Sequence, residues 1–443
     1  MASSTKELKR VLTLKDLMSV AAGQVIGAGI MSLMGVAIGM TGRSVPIAFL
    51  IAAVGVLILN VPTIILCSVV RLRGGNYTMA ALLSGKKMAG FLMFATVVGN
   101  LSLAMYALSL ADYALAFLPF VPRKLIALVA LTFFYIVNLL GIDKMAKVQN
   151  VIVVVMCAAL LLFIGFGLGK VSPDYLAEDF MTGGALGLIQ ASAVVIFAVN
   201  GAYVVANLSG EAKNPTRDIP LAIIVPTIVV AFLYALIGIV ASGVLPVAQV
   251  AGEPLSWVAR EVLPPVLYAC FMVGGAMAAL VTTLNAQMAS SPKAILQGCV
   301  DGWLPEKIGY LHPKFKTPVV ILTFLWAVGV LAIVFGLDIE DIASVVSLVV
   351  QSCMLLLNIC IIRLPKILPE AWEKSRFRMA KGKLITLAVL CTVLGVVNIA
   401  ALASTMSMSV LLGMLLVFAA GYAYIVLRLR SGKVHMEISY EVE

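Results

Sequence analysis

The groups best suited to chemistry in this chain are backbone amides in a glycine-rich stretch near the N-terminus. An apolar segment long enough to span a membrane is interrupted there by Gly23-Gln24-Val25-Ile26-Gly27-Ala28-Gly29-Ile30-Met31. Irregular backbone at membrane depth persists only where protein or a watery cavity satisfies its polar groups. The N–H groups that begin a half-helix carry partial positive charge, so they suit an anion such as a carboxylate. The competing interpretation is helix packing, because Gly23 and Gly27 form a small-xxx-small pair.

A second interruption lies in the sixth apolar segment. There the pair Asn200-Gly201, which weakens helices, follows Phe197 in mid-segment. Two interrupted segments at corresponding positions of two halves indicate a binding site at the membrane midplane of an inverted-repeat protein. The pattern therefore favours ligand binding by helix ends over packing alone.

The sequence contains no pattern typical of a catalytic or metal site. Its two histidines, His312 and His435, are far apart, and its seven cysteines include no CxxC pair. No P-loop, HExxH motif or nucleophile triad occurs. We therefore expect no enzyme activity, no cofactor and no firm metal site, and any energy for movement of a ligand would come from gradients.

Composition predicts the fold class. With 62% hydrophobic and 12% charged residues among 443, the chain is expected to be an all-helical polytopic membrane protein. Apolar runs of about 20 residues predict twelve spans, at residues 17–40, 45–70, 89–118, 123–141, 146–169, 185–209, 220–245, 263–298, 318–336, 338–362, 384–405 and 407–427.

The basic residues predict the orientation. If the N-terminus is inside, 26 of the 31 Lys and Arg residues fall on the cytoplasmic side, as the positive-inside rule requires. Both termini are therefore expected in the cytoplasm, with the spans in a plasma membrane, here a bacterial inner membrane. The net charge of +10 is explained by this bias and by anionic lipid, so no nucleic-acid partner is predicted.

The predicted spans divide the chain into six parts. Spans eleven and twelve are expected to make lipid contacts or the contacts of a homodimer, and the polar C-terminal tail is expected to be disordered. The parts are a cytoplasmic tail (1–14), a first five-span repeat (15–169), a second five-span repeat (185–363), a basic cytoplasmic linker (364–383), spans eleven and twelve (384–427) and a cytoplasmic tail (428–443).

Short motifs follow one another through the first nine spans. They are Gly27-Ala28-Gly29-Ile30, Gly74-Gly75-x-Tyr77, Glu211-x-Lys213-Asn214-Pro215-x-Arg217-Asp218-Ile219-Pro220, Asn285, Pro292-Lys293, Asp301-Gly302-Trp303-Leu304-Pro305 and His312-Pro313-x-x-x-Thr317-Pro318. In order and spacing the set resembles the amino acid/polyamine/organocation (APC) superfamily. The resemblance implies the LeuT-type five-plus-five inverted repeat, with helices 1 and 6 broken and two further C-terminal spans.

The resemblance also implies roles for individual residues. Backbone N–H groups of Gly27, Ala28 and Gly29 would hold a substrate carboxylate, and carbonyls of Val25, Phe197 and Asn200 would accept from its ammonium. The ring of Phe197 would act as a gate, and two amide side chains would lie near the substrate side chain. The implied substrate-binding set is Val25, Gly27, Ala28, Gly29, Ile30, Asn100, Phe197, Asn200, Gly201 and Gln287.

Three positions depart from the family pattern. Ala28 replaces the usual serine, which removes a hydroxyl but keeps the amide. Tyr203 stands where antiporters for arginine and polyamines carry a glutamate, so a cationic side chain has no evident counter-charge and would be expensive to desolvate. Met156 replaces a lysine that many relatives have in span five. A neutral amino acid is therefore the predicted substrate.

Ion coupling stays open. The hydroxyls of Thr282 and Thr283, with carbonyls near Gly23 and Ile26, would suit a sodium ion, although hydroxyls in membrane helices more often bond backbone. Asp112, near the outer end of span three, is better placed to snorkel or to pair at the interface than to carry a proton. Obligatory exchange needs no ion.

The sequence thus predicts a secondary transporter that moves neutral L-amino acids by alternating access, as an exchanger. The alternatives are an amino-acid/amine antiporter and a sodium- or proton-coupled symporter. From other classes, a sensor would bind the amino acid without useful flux, and a channel-like bundle would use its glycines for packing only.

Overall fold

A computed structural model of the chain describes residues 5–176, 179–337, 339–436 and 440–442. The described residues are mostly helical, and eight of their helical stretches are long and apolar enough to cross a membrane. This confirms the prediction of a helical polytopic membrane protein. The remaining predicted spans coincide with shorter helices, so the number of crossings belongs to the topology proposed below.

The first half of the chain ends in a long helix after a series of shorter ones. In order, its elements are a 3₁₀ turn (Thr5–Glu7), α1 (Leu14–Val25), α2 (Ala28–Thr41), a 3₁₀ turn (Gly42–Ser44), α3 (Val45–Val69), β1 (Val70–Leu72), α4 (Asn76–Ser84), α5 (Lys86–Gly99), α6 (Ser102–Leu115), α7 (Arg123–Leu139) and α8 (Ile142–Leu168).

The second half begins with another interrupted helix. Its elements are α9 (Gly184–Val199), a 3₁₀ helix (Ala202–Glu211), α10 (Pro215–Gly243), α11 (Val247–Val250), α12 (Leu255–Val262), α13 (Pro265–Phe271), a π-helical turn (Met272–Met277), α14 (Ala278–Ser290), α15 (Pro292–Val300), a 3₁₀ turn (Glu306–Gly309), α16 (Val319–Phe335), α17 (Ile339–Cys360), a 3₁₀ turn (Ile361–Arg363), α18 (Leu364–Ile367), α19 (Pro369–Lys374), α20 (Lys381–Thr405), α21 (Met408–Arg430) and β2 (Tyr440–Val442).

The predicted boundary between the first two spans falls on a tight turn. The stretch Gly29–Val69 is apolar throughout, yet Gly42 turns the chain with a φ of +69°, which glycine adopts without strain. A Cβ atom there would lie 2.2 Å from the carbonyl oxygen of Asp179. The turn therefore separates α2 from α3 where residues 40 and 45 were predicted to end and begin spans.

The third predicted span is interrupted, which the prediction of one segment over residues 89–118 missed. α5 ends at Gly99 and α6 begins at Ser102. The side-chain amide of Asn100 donates to the carbonyl of Thr96 at 2.7 Å, so it competes locally with the backbone for helical acceptors. An asparagine after a glycine was the signal for this irregularity.

The interrupted helices lie at the centre of the bundle. α1 packs against α8, α10 and α14, while α2 packs against α9 and α3 lies along α10. Leu17 and Val20 of α1 are fully buried, whereas Val389 of α20 and Leu416 of α21 are exposed by 54% and 71%. Apolar side chains on the outside are expected where the solvent is lipid, so α20 and α21 are peripheral.

The C-terminal tail is ordered where the structure describes it. β2 pairs antiparallel with β1, with Val442 opposite Val70 and Glu441 opposite Arg71. The Glu441 carboxylate forms ion pairs with Arg10, Arg71 and Arg73. The expectation of a disordered tail is therefore wrong for these residues, because a strand edge and three guanidinium groups hold them. We call the side of the molecule that carries β1, β2 and Arg10 the terminal face.

Candidate functional site

The two interruptions predicted from the sequence are confirmed, and they touch. A Cβ atom on Gly201 would lie 2.5 Å from the carbonyl oxygen of Gln24 and 3.0 Å from the amide nitrogen of Val25. A Cβ atom on Gly29 would lie 2.8 Å from Cα of Ala198. Glycine therefore lets the backbones of the two broken helices meet directly.

The glycines of the first interruption also allow close packing against neighbouring helices. A Cβ atom on Gly23 would lie 2.3 Å from Nε2 of Gln149, and one on Gly27 would lie 3.0 Å from Oγ1 of Thr283. Close helix packing at these two glycines is thus confirmed. It does not replace the helix break, since α1 ends at Val25 and α2 begins at Ala28.

The N-terminus of α2 provides the amides that the sequence predicts for a carboxylate. The cap residue Gly27 gives α2 no side-chain cap, and the N–H groups of Ala28, Gly29 and Ile30 in the first turn have no acceptor within the helix. The N–H of Gly27 itself donates to the carbonyl of Val25 at 2.9 Å. In this conformation the available amides are therefore those that follow Gly27.

The carbonyl of Val25 accepts two hydrogen bonds. Besides Gly27, the hydroxyl of Tyr234 on α10 donates to it at 3.1 Å. A carbonyl oxygen has two lone pairs, so an ammonium group reaches Val25 only if one of these bonds opens. Tyr234 was missed from the sequence, although a phenol in an apolar span was a visible signal.

The end of α9 is shaped by asparagine. Asn200 leaves the helix with φ −91° and ψ 103°, and its side-chain oxygen accepts from Nδ2 of Asn60 at 3.1 Å. Phe197 lies in the last turn of α9, but its side chain, like that of Ala28, is outside the described part of the chain. The gate assigned to the Phe197 ring stays a prediction.

Four oxygens meet beside Gly23. The hydroxyls of Thr282 and Thr283 each lie 3.0 Å from the carbonyl oxygen of Gly23 and 2.9 Å from that of Ala279. Two hydroxyls and two carbonyls are ligands that suit a sodium ion. The same groups also satisfy one another, because each hydroxyl hydrogen can serve one carbonyl. Ile26, the residue after α1, donates its N–H to the carbonyl of Ala22, and the described contacts do not join Ile26 to these threonines.

A buried amide network continues from this cluster. Nε2 of Gln149 donates to the carbonyl of Thr282 at 3.2 Å, and Nδ2 of Asn285 donates to Oε1 of Gln149 at 2.8 Å. Nδ2 of Asn138 then donates to Oδ1 of Asn285 at 3.0 Å. The network ties α7 and α8 to α14. Asn138 and Gln149 were missed from the sequence, although they are uncharged polar side chains inside predicted spans, as Asn100 is.

Met156 lies beside the oxygen cluster. It is fully buried, and its sulfur lies 3.9 Å from the hydroxyl of Thr282. A lysine at this position would bring an ammonium group to the cluster. The thioether brings no charge, so this side chain supplies no cation there.

Two small cavities adjoin the second interruption, and Tyr203 lines both. Their volumes are about 70 and 60 Å³, above the roughly 10–15 Å³ that a cavity needs to admit one water molecule. Gln287 lines the larger cavity and Asn200 the smaller. None of the described residues that line either cavity is charged.

The buried amide oxygens without a hydrogen-bond partner within the described residues include Oδ1 of Asn76, Oδ1 of Asn100 and Oε1 of Gln24. Asn76 itself lines the larger cavity. Thr96 and Gly99, which precede Asn100, line the larger cavity. An unpaired buried acceptor is unusual, and a ligand that donates hydrogen bonds, such as an ammonium group or water, would satisfy it.

A buried ion pair joins the 3₁₀ helix to α15. Nζ of Lys293 lies 2.7 Å from Oε1 of Glu211, and the two side chains are 5% and 2% exposed. Asn207 and Ser291, which line the larger cavity, precede Glu211 and Lys293 by four and two positions. The pair therefore fastens the 3₁₀ helix to α15 close in sequence to residues of the cavity wall.

Comparison with known proteins adds the family. The amino acid permease family model matches residues 12–420. The chain is similar to the branched-chain amino acid permease BcaP of Bacillus subtilis, with 28% identity over 83% of each chain. It is also similar to the vacuolar cationic amino acid transporter 4 of Arabidopsis thaliana, with 26% identity over 82% of this chain and 64% of that one. A methylthioribose transporter of Bacillus subtilis is 31% identical over 54% of this chain and 51% of its own.

The family match covers nearly the whole chain and includes both helix interruptions. It agrees with the apolar helices and with the motifs that run through the first nine predicted spans. The chain therefore belongs to the amino acid permease family of the APC superfamily, and it is a multi-pass membrane protein and not an enzyme.

Proposed function

We propose that the protein carries neutral L-amino acids across the membrane by alternating access, as an exchanger. The observation that carries the proposal is the absence of charge among the described residues lining the two cavities at the second interruption. The backbone beside them offers amides for an α-carboxylate, while the cavities offer only uncharged side chains to the rest of the substrate.

The substrate backbone is held by helix ends. The α-carboxylate meets the N–H groups of Ala28, Gly29 and Ile30, since the N-terminus of α2 is a site of partial positive charge. The α-ammonium meets carbonyls at the end of α9, at Phe197 and Asn200, with the unpaired oxygen of Asn100 nearby. Half-helix ends serve anions and cations in this way in inverted-repeat transporters.

The side chain of the substrate lies against Tyr203 and Gln287. A cationic side chain placed there would lose its hydration without gaining a counter-charge, which is costly. The small cavity volumes favour a small amino acid. The similarity to a branched-chain amino acid permease supports a neutral substrate, while the similarity to a cationic amino acid transporter is the reason to keep an amine or cationic substrate as the alternative.

We further propose the topology of twelve spans with both termini in the cytoplasm of a bacterial cell. Each predicted span coincides with described helix, and the 26 basic residues of the predicted inner side include the arginines of the terminal face. Residues 15–169 and 185–363 form the inverted repeats. The support for the repeat is that their first helices are both interrupted and cross one another at Gly201 and Gln24.

Exchange is the proposed mode because no acidic residue is among the described residues that line the two cavities. Asp112 is held at 2.5 Å by Arg123 in an exposed ion pair, as predicted for an interfacial acid. Sodium coupling is the second candidate, and the meeting of Gly23, Ala279, Thr282 and Thr283 oxygens favours it. The mutual hydrogen bonds of these groups give the cluster a stable arrangement without an ion.

The test is uptake of labelled amino acids into proteoliposomes, either empty or preloaded with unlabelled amino acid, with and without sodium and a pH gradient. Exchange predicts uptake of neutral amino acids only into preloaded vesicles, independent of sodium. Uptake into empty vesicles that follows sodium would contradict exchange and assign an ion to the oxygen cluster. A sensor would bind the amino acid in detergent and show no uptake in either kind of vesicle.

A variant pair tests neutral selectivity directly. Tyr203→Glu places a carboxylate where both cavities meet, so we expect competition by lysine or arginine to strengthen about tenfold while uptake of neutral substrates falls. Tyr203→Phe keeps the ring without adding charge and should leave selectivity unchanged. If wild-type uptake is already inhibited best by lysine, arginine or agmatine, the neutral assignment is wrong.

A further inference from the structure

A cavity on the terminal face lies away from the helix breaks and is much more basic. Its volume is about 140 Å³, and it lies between the end of α3, the start of α10 and the segment that follows α19. Three cationic and three hydroxyl side chains line it: Arg217, Lys374, Arg376, Ser68, Thr216 and Ser375. This volume is well above the roughly 10–15 Å³ that a cavity needs to admit one water molecule, so it leaves room for a phosphate group.

The three cations have no described acidic partner. No carboxylate is among the described residues that line the cavity, and the ion pairs described for the chain do not include Arg217, Lys374 or Arg376. Two acids are adjacent in sequence to these cations. Asp218 is buried at 4% exposure, and the carboxylate of Glu373 lies 3.8 Å from the guanidinium group of Arg378.

The walls of the cavity are held in place without a ligand. The hydroxyls of Ser68 and Ser375 are 2.9 Å apart and bridge α3 to the end of α19. Trp372 is buried and anchors α19. α10 is a helix of 29 residues that begins at Pro215, so its positive end adds to the field of the three cations.

The cavity lies at the level where two lipid-facing helices begin. α10 exposes Val229 and Phe232, both by 59%, and α20 exposes Val389 by 54%. α20 begins at Lys381, five residues after Arg376. Basic pockets at the ends of membrane helices attract the phosphate groups of anionic lipids.

We propose that this cavity binds a phosphate group, supplied either by the headgroup of an anionic lipid or by a free phosphate. Arg217 and Arg376 supply guanidinium groups, which match phosphate oxygens in bidentate geometry, and Lys374 adds a third charge. Ser68 and Ser375, whose hydroxyls bond each other, and Thr216 form the polar wall around the anion. The site is separate from the proposed amino acid site and does not depend on it.

The experiment measures binding to the purified full chain. Phosphatidylglycerol, phosphatidylcholine and inorganic phosphate are titrated separately, and binding is read by thermal stabilisation and by native mass spectrometry. The variant Arg217→Gln/Lys374→Gln/Arg376→Gln removes three exposed charges from the cavity. The variant Lys86→Gln/Lys87→Gln/Lys144→Gln removes three exposed charges elsewhere and is the matched control.

We expect the cavity variant to bind phosphatidylglycerol at least tenfold more weakly than wild type, and the control variant to bind it as wild type does. Replacement of the same three residues by the other basic side chain, Arg217→Lys/Lys374→Arg/Arg376→Lys, should keep most of the affinity. Loss of phosphatidylglycerol binding alone assigns the lipid headgroup, and parallel loss of inorganic phosphate binding assigns the free anion. The proposal would be overturned if the cavity variant bound phosphatidylglycerol and inorganic phosphate as tightly as the wild type does.

Discussion

Gly201 lies against Gln24 so closely that a Cβ atom on the glycine would stand 2.5 Å from the glutamine carbonyl oxygen. The contact joins the two interrupted helices at the point where both leave regular geometry. Backbone lies on both sides of it, so no flexible side chain can move aside to relieve a clash. The position of one helix break is therefore fixed by the other.

Gly201→Ala should damage both stability and uptake. Overpacking typically costs about 1–3 kcal/mol, and the rigid backbone of residues 24 and 25 places this position at the upper end. We expect a lower midpoint of thermal unfolding in detergent and loss of most amino acid uptake in proteoliposomes. Gly165→Ala is the control, because a Cβ atom there meets nothing within 4 Å. Unchanged stability and uptake in Gly201→Ala would show that the two breaks are not in contact.

The interruptions themselves were predictable from the sequence because their cause is local. Gly27, Gly29 and the pair Asn200-Gly201 weaken a helix wherever they occur in an apolar segment, and the structure breaks the helices there. The partners of the breaks were not predictable in the same way. Tyr234 reaches Val25 across 209 positions of the chain, and no local pattern shows which face of α10 meets α1.

The hydroxyls of Thr282 and Thr283 share the carbonyl of Gly23, so their contributions to stability should not be additive. In Thr282→Val or Thr283→Val one hydroxyl remains to donate to Gly23, and we expect a loss of less than about 1 kcal/mol. In the double variant the carbonyl has no donor, and an unsatisfied buried group costs about 1–3 kcal/mol. A double-mutant cycle on the free energy of unfolding measures the difference.

Two other threonines provide the control for this cycle. The hydroxyls of Thr386 and Thr392 donate to carbonyls of their own helix, α20. The losses in Thr386→Val and Thr392→Val should therefore add. Additive losses at Thr282 and Thr283 as well would mean that the two hydroxyls do not share an acceptor.

Removing one partner of the buried pair of Glu211 and Lys293 should lower the free energy of unfolding strongly, and removing both partners should lower it much less. Lys293→Met leaves a carboxylate that is 2% exposed without its cation, for which we expect a loss of about 3–5 kcal/mol. Glu211→Met/Lys293→Met removes both charges and should recover most of that loss. The midpoint of chemical unfolding in detergent gives both values.

An exposed pair of the same residue types is the comparison. Lys316 lies 3.0 Å from Glu7, with side chains 34% and 44% exposed, and Lys316→Met should cost less than about 1 kcal/mol. If Lys293→Met costs no more stability than Lys316→Met, then Glu211 is solvated and the pair is not buried.

The pairing of the C-terminal tail with β1 could not be predicted from the sequence. Residues 440–442 are too few to show a strand period, and the polar tail to which they belong was expected to be disordered. What orders them is a cluster of Arg10, Arg71 and Arg73, built from segments that are separate in sequence. This arginine cluster forms only after the helices have packed. The binding site for the tail therefore cannot be predicted from the tail sequence or from the arginine positions alone.

The register of this pairing can be tested by a disulfide. Val70 and Val442 are directly opposite, and opposite residues of an antiparallel pair have Cα atoms about 4.5–5.5 Å apart, within the range that a disulfide spans. We expect Val70→Cys/Val442→Cys to crosslink on mild oxidation, with the linked peptides identified by mass spectrometry.

Val70→Cys/Tyr440→Cys is the control. It shifts one cysteine by two residues, about 6.6 Å along the strand, and should crosslink poorly. Adding Glu441→Gln to the first pair should slow its crosslinking, because the three arginines then lose the carboxylate that holds the tail against β1. Equal crosslinking of the two cysteine pairs would mean that the tail has no fixed register on β1.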